Sequence, residues 1–99
     1  MTNNLIWLLN WYYKYCNGDW EHQNGIKIGT IDNPGWYLKV NLNATEIQNF
    51  KFKIIDINRS EDDWLYCSVN EKIFEGFGGP FNFIEILEIF RQFVEEESG

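Results

Sequence analysis

Apolar residues recur along the first sixteen positions at helical spacing. At about 100° per residue, Leu5, Leu8, Leu9, Tyr12 and Cys16 fall on one face, with Asn3, Asn10 and Lys14 in a thin polar stripe opposite. The pattern predicts a helix over 3–16, stopped by Asn17 and Gly18, residue types that suit a left-handed C-terminal cap. Trp7, Trp11 and Tyr15 stand between the two stripes at i, i+4 and i+8, so the apolar sector is wider than one contact face needs. Either a second element covers this aromatic ridge or a partner does, such as another copy in a homodimer.

The period then drops to two. "GIKIGTI" sets Ile26 and Ile28 against Lys27, and "WYLKVNL" sets Trp36, Leu38, Val40 and Leu42 against Tyr37, Lys39 and Asn41. Asp32-Asn33-Pro34-Gly35 between them reads as a type II turn, which makes the pair a hairpin. A third strand is expected from about Phe50 to Ile57, with a bulge where the apolar parity slips between Ile54 and Ile55. After the loop "SEDD" come "WLYCSV", the short turn "NEK" and a last strand "IFEGF". From residue 83 the helical period returns: Phe83, Ile86, Leu87, Phe90, Phe93 and Val94 fill one arc, and Glu85, Glu88, Gln92, Glu95 and Glu96 the other. Asn82 and Glu85 are spaced for a capping box, with Phe81 and Ile86 as a hydrophobic staple outside it. The expected fold is α+β: an N-terminal helix, an antiparallel meander of about five strands, and a C-terminal amphipathic helix packed on the sheet, in one domain spanning 1–99.

Charge narrows the partners. The formal net charge is −7 and the sequence pI about 4.5, which argues against nucleic acid or an anionic membrane, both held by Lys and Arg. Six of the seven excess acids lie in residues 50–99. A basic partner is favoured. The two cysteines, Cys16 and Cys67, fall in predicted helix and strand, and no secretion signal is evident, so a cytoplasmic setting with reduced thiols is expected.

Candidate chemistry is thin. Cys16, Asp19, Glu21 and His22 match no metal-ligand spacing, and the single histidine leaves either cysteine without a dependable base. "GFGGP" before the last helix lacks the Lys and Ser/Thr of a phosphate-binding loop. No catalytic residue, metal or cofactor is expected. Two stretches remain conspicuous. One is "DWEH", where Asp19, Trp20, Glu21 and His22, with Trp36 nearby in sequence, either brace a corner or line a contact surface. The other is Glu61, Asp62 and Asp63 beside Trp64, an acidic patch with an aromatic anchor that would steer a basic target.

"CNGDWEHQNGIKIGTIDNPGW" together with "FEGFGGPFNFIEILEIF" resembles the immunity protein 53 family, small bacterial proteins encoded beside polymorphic toxins. The resemblance spans nearly the whole chain, from the Trp-rich opening helix through D-N-P-G-W to F-x-G-x-G-G-P before the last helix. It implies function by binding, in which the protein blocks a cognate toxin domain, and it brings no assigned contact residues. Charge adds that the toxin is basic, as nucleases with a nucleic-acid cleft are. The competing expectation is a small hydrolase or ligand-binding protein with a pocket around Asp19, Glu21, His22 and Trp36. The chain is expected to be a monomer or a homodimer joined through Trp7, Trp11 and Tyr15.

Overall fold

The computed structural model describes residues 3–98. They form helix α1 (Asn4–Tyr15), a single helical turn α2 (Trp20–Gln23), strands β1 (Ile26–Ile31), β2 (Gly35–Asn41), β3 (Ile55–Ser60), β4 (Asp63–Asn70) and β5 (Ile73–Gly78), and helix α3 (Phe83–Ser98). The arrangement is α+β, with a five-stranded antiparallel sheet and the C-terminal helix packed on it, as the periodicity predicts.

Strand order is β1-β2-β5-β4-β3, which departs from a simple meander. β3, β4 and β5 follow one another as hairpins, while the β1–β2 hairpin joins the free side of β5. The link from β2 to β3 therefore crosses three strand spacings, roughly 14 Å. Residues 42–54 span that easily and carry core side chains as they go. Leu42 and Ile47 are fully buried, and the Phe52 ring meets Phe74 at 5.5 Å and Phe93 at 5.0 Å. This crossing explains why β3 begins at Ile55 and not at Phe50: the alternation of "FKFKI" serves a path over the core's end, not a ladder.

Both helices lie on one sheet face. Leu38, Val40, Leu65, Cys67 and Phe74 rise from the sheet to meet Ile86, Leu87, Phe90, Phe93 and Val94 of α3. Burying each such aliphatic or Phe side chain contributes about 1.5–3 kcal/mol. α1 is rotated relative to the simplest reading of its pattern. Its aromatic ridge turns inward beside buried Leu8, with Trp7 and Trp11 edge-on to Phe90 at 5.9 and 5.2 Å, while Leu5 and Leu9 are exposed. The ridge is thus covered within the chain: two indole rings on Phe90 remove more apolar surface from water than the two leucines would. Asn3 caps α1, its Oδ1 accepting from the Leu5 and Ile6 N–H groups at 2.8 and 3.2 Å.

Two local expectations change. Ile31 pairs with Gly35, so the β1–β2 loop has three residues and Gly35 belongs to the strand with no left-handed φ. It is needed for close approach, because a Cβ there would run into the Gly78 carbonyl oxygen on β5. The bulge lies later than the apolar slip suggests: Asn58 pairs with Trp64 and Ser60 with Asp63, leaving Arg59 as the extra residue.

Candidate functional site

The corner after α1 is built from the local backbone outward. Gly18 takes a φ of 96°, and the Asn17 side chain accepts from the Asp19 and Trp20 N–H groups at 2.9 Å each. Asn17 therefore opens α2 and does not close α1, whose cap is Cys16. Glu21 folds back over the same turn. Its two carboxylate oxygens accept from the Asn17 and Gly18 N–H groups at 2.9 and 2.7 Å. Its own N–H, then those of Asn17 and Gly18, hold the Glu21 carboxyl below the usual range.

Trp20 is buried. Its ring lies 6.3 Å from Trp11 and 5.8 Å from both Tyr12 and Tyr15, and its Nε1 donates to the Asn43 carbonyl at 2.8 Å. Asp19 and His22 are exposed at either side of α2. Trp36 is not with them. The corner adjoins the Asn41 end of β2, where the Asn41 N–H donates to Gly25 at 2.9 Å, and Trp36 stands five residues along the strand, roughly 16 Å away. A hollow of about 300 Å³ between α1 and β1 takes in Glu21 along with Leu5, Leu9, Tyr12 and Ile28, but neither His22 nor Trp36. The expected pocket around Asp19, Glu21, His22 and Trp36 is thus not assembled, because β2 carries Trp36 to the far end of the sheet.

That far end collects the other candidates. Trp36 is half-buried, its ring on Phe83 at 5.5 Å and its Nε1 donating to the Pro80 carbonyl at 3.2 Å. The Gly79 N–H donates to the Trp64 carbonyl at 3.0 Å, which ties the start of α3 to the β3–β4 turn. Asp32, Glu61 and Asp62 are exposed around this end, and so are Phe81 at 88% and Ile84 at 71%. Phe81 in solvent means the expected staple with buried Ile86 does not form.

The four residues of the acidic stretch separate by strand parity. Leu65 and Cys67 point to the core, so Asp63 shares their face and Trp64 the opposite one. Asp63 is drawn into a network under α3. Arg59 follows Ile55 and Ile57 in the alternation of β3 and so faces the same side, where its guanidinium donates to Asp63 Oδ1 at 2.9 Å and to both Glu85 oxygens at 3.1 and 2.7 Å. The Asn82 amide donates to Asp63 at 2.9 Å and to Glu85 at 3.2 Å. Glu85 is committed to Arg59 and the Asn82 amide, and neither bond of the expected capping box forms: Asn82 Oδ1 is buried without a hydrogen-bond partner among the described residues, and its backbone N–H donates to the Gly79 carbonyl. Asp63 is held below the ordinary carboxylate range by Asn82 and then Arg59, and Glu85 by Arg59 first. Arg59 is the residue that sequence reasoning missed, since the expected third strand ends at Ile57 and β3 runs on to Ser60. Glu61 and Asp62 stand outside the network at the turn.

The remaining reactive groups are muted. Cys67 is fully buried and its thiol is pushed up to about 12 by that burial, far from a nucleophile's range. Cys16 is half-buried, its Sγ donating to the Tyr12 carbonyl at 3.4 Å. Among the described residues no group of three His, Cys, Asp or Glu side chains is placed to hold a metal ion, and no helix is long and apolar enough to cross a membrane.

Against known families, the model for immunity protein 53 matches residues 5–95. No curated protein and no solved structure matches the chain.

Proposed function

The chain belongs to the immunity protein 53 family, and we propose that it protects its own cell by binding and neutralising a cognate toxin domain, without catalysis, in the cytoplasm. The family match over nearly the whole chain carries this reading. The contact surface we assign to it is the far end of the sheet, where Glu61 and Asp62 are exposed beside Trp64, Trp36 lies within the same end, and Asp63 is held by Arg59 as the floor on which that turn rests. Exposed acids there would pair with Lys or Arg and raise the association rate by steering, an effect worth about 10- to 1,000-fold. A basic nuclease is the toxin class this charge suits best, because occupying its nucleic-acid cleft would stop it. Asp19 and His22 form a second exposed patch at the opposite end, while Trp20 and Glu21 support it from within.

The test is co-expression with the toxin domain encoded beside this chain. Growth rescue with a stoichiometric complex supports the reading. Continued killing, with no complex on co-purification, sinks it.

A further inference from the structure

The two helices cover one face of the sheet and leave the other open. On that open face Tyr37 of β2 is paired with Phe77 of β5, and Phe77 with Tyr66 of β4, so three aromatic side chains form one row across three strands. The Tyr37 and Phe77 ring centroids are 6.5 Å apart, and the Tyr37 ring lies over Gly29 on the edge strand, where a Cβ would collide with it. Trp64 shares this face by parity. Antiparallel sheets with one solvated face ordinarily alternate core residues with polar ones. Here the solvated side of the three central strands presents rings. Their burial is partial, and Tyr66 is 37% exposed.

The charges around the row have a direction. Lys39 lies over the Tyr37 and Phe77 rings at 5.7 and 5.9 Å, and Glu75 balances it at 3.8 Å. At the other end of the row Asp56 pairs with Tyr66, and the Glu61–Asp62 turn rises beyond Trp64. Lys27, paired with Lys39, faces the same side of the sheet, so the β1–β2 end of the row is basic and the β3–β4 end acidic. Five strands at about 4.8 Å and six residues at about 3.3 Å make the face roughly 20 by 20 Å. That is about half of the roughly 800 Å² per partner that a stable interface buries, so the face would need the adjoining acidic turn to complete it.

We infer that this open sheet face is the floor of the toxin interface, with the Tyr37, Phe77 and Tyr66 row as its apolar anchor and Asp56, Glu61 and Asp62 as its charged rim. The inference rests on the immunity reading above. The occupant it fits is a toxin surface that sets apolar side chains among Lys or Arg, since the ring faces attract guanidinium groups and the rim attracts either cation. A toxin is favoured over a second copy of this chain, because two chains of net charge −7 repel one another whereas a basic toxin is attracted.

The test compares binding of the neighbouring toxin domain by wild type, Tyr66→Ala, Asn58→Lys and Tyr13→Ala, each checked for a native melting transition. Asn58 is an exposed position on the open face, so its change adds a cation without removing packing; Tyr13 lies on α1, 77% exposed. Tyr66→Ala is expected to weaken affinity at least about 30-fold, as hot-spot truncations do. Asn58→Lys is expected to slow association by about tenfold, and Tyr13→Ala to bind as wild type. If Tyr66→Ala does not fold, Asn58→Lys decides alone. Wild-type binding by both open-face variants would overturn this inference and leave the immunity reading standing. Failure of the wild-type chain to bind would instead remove the immunity reading. Sedimentation showing a micromolar dimer that Tyr66→Ala disrupts, with toxin binding intact, would assign the face to a second copy and overturn the inference as well.

Discussion

Two stretches of this chain look alike as sequence, Asp19–His22 and Glu61–Trp64, each setting acids against a tryptophan. The structure treats them oppositely. At the corner the tryptophan goes inside, among Trp11, Tyr12 and Tyr15, and the Glu21 carboxylate is used up on backbone N–H groups. At the β3–β4 turn Trp64 faces the open side of the sheet, and only Asp63 is taken up, by Arg59 and Asn82. The difference teaches that an acid-and-tryptophan motif is architecture where orphan backbone donors lie within reach of the acid, and surface where strand parity turns it outward.

The largest break in that comparison should come from the tryptophans. Trp20→Ala is expected to cost about 3–5 kcal/mol in urea unfolding, as a buried aromatic truncation does, and half-buried Trp64→Ala less than half as much. Equal losses would mean that the two rings are equivalent supports.

Acid should act next, on the network beneath the turn. Asp63 and Glu85 have folded-state pKa values below their unfolded ones near 4, so their stabilisation is complete above about pH 4 and is lost as pH falls through the depressed values. Melting temperature should therefore fall below about pH 4, and Arg59→Met should flatten that limb by returning Glu85 toward its ordinary range and Asp63 part of the way, since Asn82 still donates to it. Parallel curves for the two proteins would remove Arg59 as the cause.

A smaller contrast lies between the two glutamates. Glu21→Gln should lower stability, because a neutral amide accepts less strongly from the Asn17 and Gly18 N–H groups. Glu61→Gln should leave unfolding within about 0.5 kcal/mol of wild type, as exposed changes do. A loss for Glu61→Gln matching that for Glu21→Gln would show that the turn acid is also structural.

Much of the fold is legible from periodicity. The arc from Phe83 to Val94 identifies the buried side of α3, and Leu38, Val40, Leu65 and Cys67 identify the covered face of the sheet. Where the pattern misleads, the deciding partner is distant in sequence. α1 has two apolar arcs, and packing against α3 and α2 buries one residue of each, Leu8 and Trp11, while Leu5 and Leu9 stay outside. "FKFKI" alternates as a strand would, yet its path is set by where β2 ends and β3 must begin. The candidate site is legible as a set of residue types and not as a place. Trp36 travels with its strand to the acidic end, Trp20 is drawn into the core, and Asp63 opens β4 and is taken up by Arg59 and Asn82 while its two acidic neighbours stay in the turn.

That separation gives the most direct test of how the protein binds. Glu61→Gln with Asp62→Asn removes the exposed acids and leaves Asp63 in its network, so the fold is kept while the charge is not. Stopped-flow association with the toxin domain, measured across ionic strength, should be slower for this double variant at low salt and should depend less steeply on salt than for wild type. Superimposable rates and slopes would contradict the account, because the acidic end would then be solvated surface and not the face that meets the toxin.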